Sequence, residues 1–182
     1  MNTSLYYTDL FEKSCTFKPD TREIIITFAP NVAAHLFALD REGILQVDGM
    51  NINVGFARLR IAPGYSYSEA IDALRALPGI TGIMPAMTEE KRAGSVTRYF
   101  LPGRFIVQIK EEYINEAKKI IAKYHLTPLI EYNKGYYSVR VPRGIDLAEE
   151  ESLFKALRDF KSKPELEYVE PDEGAFRAAL AH

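Results

Sequence analysis

Two ten-residue stretches, GFARLRIAPG at Gly55–Gly64 and GYYSVRVPRG at Gly135–Gly144, decide the predicted fold of this chain. They align without a gap, place Arg60 opposite Arg140, and alternate large apolar with polar residues as half-buried strands do. Each stretch ends in a proline and a glycine, which mark a turn. Their spacing of about 80 residues indicates an internal duplication.

The same order of strand and helix patterns surrounds both stretches. In the first copy we predict an opening strand at 24–28, helices at 32–42 and 70–77, and a closing strand at 78–85. In the second copy we predict an opening strand at 105–109, helices at 113–124 and 153–160, and a closing strand at 164–171. A further strand is predicted at 127–132 of the second copy. The resulting order is strand, helix, strand, strand, helix, strand. We therefore predict an α+β chain of two tandem ferredoxin-like (βαββαβ) domains, each an antiparallel four-stranded sheet with two helices on one face.

Turn-rich and polar segments set the predicted domain boundaries. We expect an N-terminal arm or hairpin at 1–20, the first domain at 21–88, a polar linker at 89–102, the second domain at 103–173 and a C-terminal tail at 174–182.

Composition excludes several classes of function. The chain has 182 residues and a formal net charge of −2, so it has no basic surface for nucleic acid and no polybasic membrane patch. Cys15 is the only cysteine, which rules out an intramolecular disulfide and a two-cysteine zinc motif. His35 and His125 have no other histidine or cysteine nearby in the sequence and no paired-carboxylate pattern, and no acid, base or nucleophile cluster is evident. We expect no metal, no cofactor and no enzymatic activity.

The second copy resembles the propeptide family of subtilisin-like serine proteases, which includes stand-alone propeptide-like inhibitors. The likeness covers nearly all of residues 103–173 and rests on PGRFIVQI at 102–109, YSVRV at 137–141 and PELEYVEPD at 164–172. The first copy is a weaker match. With LYY at 5–7 and FKPD at 17–20, however, it is similar to the long pro-regions of some bacterial subtilases, in which two such units follow one another.

This resemblance implies a protease-binding role. In the family, the sheet face opposite the helices covers two surface helices of the protease, and acidic residues at the end of the last strand cap the N-termini of those helices. Carried over by position, the capping acids are Glu170 and Asp172, next to Tyr168, and Tyr137 is a further expected contact. The resemblance also implies a role as an intramolecular chaperone of the protease.

The resemblance further implies that the final residues enter the active-site cleft of the protease as a bound product does. The tail residues expected there are Ala178, Leu180 and His182. The N-terminal sequence has no pattern of a signal peptide, and the cellular location stays undecided. If the chain is part of a protease precursor, it is expected to be secreted or periplasmic.

Three alternatives of other classes remain open from the sequence. An RNA-binding module has the same topology, but Ser138 stands where its second stacking aromatic residue is expected. A tandem small-ligand sensor of the amino-acid-binding type usually has a glycine-rich loop after the first strand, and the loops at 29–31 and 110–112 contain no glycine. A general protein-interaction module is the third alternative.

Overall fold

A computed structural model describes residues 5–9, 11–143 and 147–173 and has the α+β class predicted from the sequence. The strands of this part are β1 (Tyr6–Thr8), β2 (Ser14–Phe28), β3 (Leu45–Asn51), β4 (Phe56–Ile61), β5 (Ile80–Lys91), β6 (Gly94–Arg98), β7 (Arg104–Ile109), β8 (Thr127–Asn133), β9 (Tyr136–Arg140) and β10 (Leu166–Pro171). Its α-helices are α1 (Ala33–Arg41), α2 (Tyr67–Arg75), α3 (Ala117–Lys123) and α4 (Glu149–Lys161).

The chain divides into two compact units. The N-terminal unit comprises Lys18–Pro102 together with Glu173–His182, and the C-terminal unit comprises Met1–Phe17 together with Gly103–Asp172. The strand orders are β3-β4-β2-β5 in the first, continued by β6, and β10-β7-β9-β8 in the second. In both units the strand that opens the repeat lies between the third and fourth strands of that repeat, so the two copies share one sheet topology.

The core of the N-terminal unit lies between one face of its sheet and both helices. Ile24, Ile26 and Phe28 alternate along β2 and belong to a single buried cluster. The helices contribute Leu36 and Leu39 from α1 and Ala70, Ile71 and Leu74 from α2 to that cluster. Because one cluster joins both helices to the same side of β2, the two helices cover the same face of the sheet.

Residues 89–102, for which the sequence predicts a linker, form an ordered part of the N-terminal unit. β5 continues to Lys91 and pairs with β6 in a hairpin, with Glu89 opposite Val96. Phe100 and Leu101 follow this hairpin and are almost completely buried. The many charged residues of this segment indicate a linker, but charged side chains are compatible with a strand where ion pairs compensate them.

The N-terminal hairpin belongs to the C-terminal unit. β1 pairs with the beginning of β2, with Tyr7 opposite Cys15, inside the range 1–20 for which the sequence predicts an arm or hairpin. The ring of Phe17 stacks on Phe154 of α4 with 5.0 Å between ring centroids, and the ring of Tyr7 lies 6.2 Å from the same residue. Since Tyr7, Phe17 and Phe154 are all buried, the hairpin completes the core under α4.

The first helix of the second repeat is shorter than the predicted range of 113–124. A 3₁₀ segment, Glu111–Glu116, precedes α3, which ends before His125 takes a left-handed conformation with φ of 56°. α4 is longer and has acidic residues in its first turn and basic residues in its last turn, which stabilises it through the helix dipole. Within the described ranges, no helix is long and apolar enough to cross a membrane.

Candidate protein-binding site

One face of the C-terminal sheet is covered by helices. Phe105 and Val107 of β7 are fully buried on this face, and Phe160 of α4 packs edge-on against Phe105 at 5.8 Å between ring centroids. Tyr137 of β9 pairs with Val107 and, together with Ile121 of α3, lines a pocket on the same side. The residues that alternate with these form the opposite face, which we call the non-helical face.

The side chains of the non-helical face lie in three rows that run across the strands. Strand register places Tyr168 opposite Gln108 and Glu170 opposite Ile106, and the amide of Asp172 donates to the carbonyl of Arg104 at 3.1 Å. Extended across β9, the rows are Tyr168–Gln108–Tyr136, Glu170–Ile106–Ser138 and Asp172–Arg104–Arg140. The face therefore changes from aromatic to charged along β10.

The first row is aromatic and partly accessible. Tyr168 and Tyr136 are half-buried on either side of Gln108, and with Glu167 these residues line a groove of about 310 Å³. The ring of Tyr132 on β8 lies 5.6 Å from that of Tyr136 and is exposed. Tyrosine presents an apolar ring and a polar hydroxyl, a combination that is common in protein interfaces.

The third row contains a buried cation beside a carboxylate. Arg104 is only 6% exposed, and burial lowers the pKa of its guanidinium while the charge of Asp172 opposes that shift. The hydroxyl of Ser138 donates to Oδ2 of Asp172 at 2.8 Å. Burial raises the pKa of the Tyr132 hydroxyl, and the charge of Asp172 raises it further. Asp172 is therefore oriented by Ser138, and its charge favours the ionised form of Arg104.

The structure brings three of the seven residues predicted from the sequence onto one face. Tyr168, Glu170 and Asp172 alternate along β10 and the residue that follows it, all on the non-helical face, and each is half-buried. This arrangement forms a strand end with two carboxylates beside a tyrosine. Such a strand end has the charge that suits the N-terminus of a helix in another protein.

The structure does not bring Tyr137 to the same face. Tyr137 is 4% exposed on the face covered by helices, where its hydroxyl donates to Oε1 of Glu131 at 2.9 Å. Burial raises the pKa of this hydroxyl, and Glu131 raises it further. Tyr137 therefore belongs to the core side of the sheet. The remaining predicted contacts, Ala178, Leu180 and His182, lie outside the described residues.

Gln108, Ile106 and Arg104 also contribute to the non-helical face, although the sequence did not single them out as site residues. Their positions are determined by the alternation within β7, whose other residues, Phe105 and Val107, are in the core. The alternation was visible in the sequence, but the strand partners that complete each row were not.

In the part of the chain that the structure describes, no group of three or more histidine, cysteine, aspartate or glutamate side chains is arranged to hold a metal ion. No family model matches the chain, and neither the curated proteins nor the solved structures that were searched include a match.

Proposed function

We propose that this chain binds a subtilisin-like serine protease, as the pro-region of such a protease or as a propeptide-like inhibitor, and that it is not itself an enzyme. One observation carries the proposal. Tyr168, Glu170 and Asp172 are each half-buried on one face at the end of the last strand, on the side of the sheet opposite α4, where Ser138 and Arg104 beside them are buried. The resemblance of residues 103–173 to subtilase propeptides requires this arrangement.

The proposal includes a ferredoxin-like fold for both units. The strand orders β3-β4-β2-β5 and β10-β7-β9-β8, with helices after the first and third strands of each repeat, support this assignment. In the N-terminal unit, the buried cluster that both helices share with β2 supports it further.

The contact with the protease is proposed to combine an apolar anchor with charge. The half-buried ring of Tyr168 supplies the anchor beside the groove that it forms with Gln108 and Tyr136. Glu170 and Asp172 then face the N-terminal turns of protease helices, where backbone N–H groups lack partners. The hydrogen bond from Ser138 orients Asp172 for this contact.

The final segment is proposed to block the active site. Residues beyond Glu173, among them Ala178, Leu180 and His182, would lie in the cleft as an extended strand and exclude substrate. In a protease precursor the same contacts would assist folding of the catalytic domain. The support for this part is the resemblance alone.

The proposal is tested by the inhibition constant of the purified chain against a panel of subtilisin-like proteases. Glu170→Gln and Asp172→Asn are each expected to weaken binding by about 0.5–2 kcal/mol, the range for loss of a helix cap. Glu112→Gln is the matched control, because Glu112 is an exposed carboxylate of the same unit in a segment outside β10. Truncation after Asp172 should weaken inhibition more than either substitution.

Two results would contradict the proposal. A wild-type chain that slows none of the proteases would exclude inhibition. An inhibition constant that is the same for Glu170→Gln and Asp172→Asn as for Glu112→Gln would exclude the capping role of the strand end.

A second candidate function, binding of a small ligand, is favoured by one cavity. A pocket of about 370 Å³ lies between α3 and the edge strand β8; its lining includes Ile121, Leu126 and Leu129, with Lys118 and Glu131 as charged members. Such a pocket suits an apolar molecule that carries a charged group. If this candidate is right, free apolar amino acids should raise the Tm of the chain. The rise should disappear when Ala122 in the lining is replaced by a larger residue, and this pair of results would favour ligand binding over protease binding.

A further inference from the structure

Arg98 lies between two carboxylates of the N-terminal unit. Its Nη1 donates to Oε2 of Glu89 at 2.9 Å, and its Nε donates to Glu173. The Glu89 side chain is 5% exposed, whereas that of Glu173 is 42% exposed. One guanidinium therefore joins a buried acid of the β5–β6 hairpin to the residue that directly follows Asp172.

The position of Arg98 is set by contacts other than Glu173. Its guanidinium carbon lies 5.3 Å from the ring centroid of the buried Phe100, and Glu89 accepts one of its N–H groups. Glu89 is a buried carboxylate that also lies 3.5 Å from Nζ of Lys91, and its closer ion pair with Arg98 holds the guanidinium whether or not Glu173 is bound. The flat guanidinium can then present a second N–H in a fixed direction.

We propose that Arg98 is a positioning residue that fixes Glu173, the residue from which the chain continues into the final segment, residues 174–182. This inference rests on the proposed function, because it gives the segment that would block the protease a defined starting point. It also assigns a role to the first repeat, which lacks the acidic strand end of the second. Met84 and Ala86 occupy the corresponding positions of β5.

A tail whose first residue is already held binds better than one that starts unrestrained, because less conformational freedom is lost when the complex forms. The ion pair between Arg98 and Glu173 is partly exposed, and its effect on binding is accordingly modest. Loss of the pair is expected to raise the inhibition constant about 1.5- to 5-fold, the range for an ion pair at a protein surface.

The first measurement needs no protease. NMR relaxation on the full chain gives the backbone order parameter of residue 173, expected to be near 0.85 in the wild type and below about 0.6 after Glu173→Ala. Arg98→Gln should have the same effect. If Arg98→Gln unfolds the hairpin because Glu89 is left with only the more distant Lys91, Glu173→Ala still provides a valid test. Glu90→Gln is the control, because Glu90 is in the same hairpin and pairs with Lys18 on the surface.

The second measurement is the inhibition constant of the same variants, which should rise for Glu173→Ala and stay unchanged for Glu90→Gln. An order parameter that Glu173→Ala leaves unaltered overturns the inference. So does an inhibition constant that stays constant although the order parameter falls. If the order parameter falls as expected but the wild-type chain inhibits no protease, the proposed function is wrong while the hold of Arg98 on Glu173 stands.

Discussion

Replacement of Phe17 by alanine is expected to destabilise the C-terminal unit, although Phe17 lies near the N-terminus of the chain. Phe17 is 3% exposed, and its ring stacks on Phe154 at 5.0 Å and on Tyr7 at 5.7 Å between centroids. Truncation of a buried phenylalanine to alanine costs about 3–5 kcal/mol, through lost burial and the cavity that remains. This is a large fraction of the roughly 5–15 kcal/mol by which domains are stable.

Amide hydrogen exchange resolved by segment is the appropriate assay, because it reports on each unit separately. A loss of 3 kcal/mol lowers protection in α4 by about 100-fold, since each 1.4 kcal/mol corresponds to a factor of about ten. Phe11→Ala is the matched control. Phe11 is 87% exposed, and its loss should change stability by no more than about 0.5 kcal/mol.

Protection of α4 that is equal in Phe17→Ala and Phe11→Ala would show that Phe17 does not stabilise the C-terminal unit. A loss of protection in α1 but not in α4 would assign the hairpin to the N-terminal unit instead. A loss of protection centred on residues 149–161 is the expected outcome.

Two further predictions concern stability. Lys123 and then Tyr124 lower the pKa of Glu165 from its ordinary 4.5 to about 2, so the stability gained from the ionised carboxylate is complete above pH 4.5 and is lost as pH falls toward 2. In Glu165→Gln the urea midpoint should therefore fall less over this interval, and an unchanged pH dependence would contradict the assignment. Gly135 and Gly43 have φ of 80° and 76°, but only at Gly135 would a Cβ meet another side chain, at 2.8 Å from Ile114. Gly43→Ala should lower the free energy of unfolding by about 1–2 kcal/mol, because alanine is strained in the left-handed conformation. Gly135→Ala should lower it by about 1–3 kcal/mol more, because its Cβ also overpacks against Ile114. Equal urea midpoints for the two variants would contradict this difference.

Local patterns in the sequence were sufficient to predict the order of elements in both repeats. The alternation within 135–144 predicted the strand observed as β9, and the apolar spacing at 153–160 lies inside α4. These signals are local, because strand alternation and helical spacing are properties of neighbouring residues. The same alternation puts Tyr168, Glu170 and Asp172 on one side of a strand without any knowledge of the sheet.

The docking of the N-terminal hairpin was not predictable in this way. Tyr7 and Phe17 meet Phe154, which lies more than a hundred positions further along the chain, and no local pattern specifies that partner. The β5–β6 hairpin was missed for a similar reason. Its charged residues indicate a linker until Glu89 and Arg98 are seen to compensate each other.

The sequence by itself determined the repeated element order and the acidic, alternating end of the last strand, since both follow from backbone periodicity. Only the tertiary structure decided which face of the second sheet the helices cover, and so which of the adjacent Tyr136 and Tyr137 reaches the non-helical face. The register of β9 with β7 places Tyr136 beside Gln108 and Tyr137 beside Val107 in the core. Neighbouring residues of a strand point to opposite sides, so the buried side is chosen by packing, which acts between distant parts of the chain.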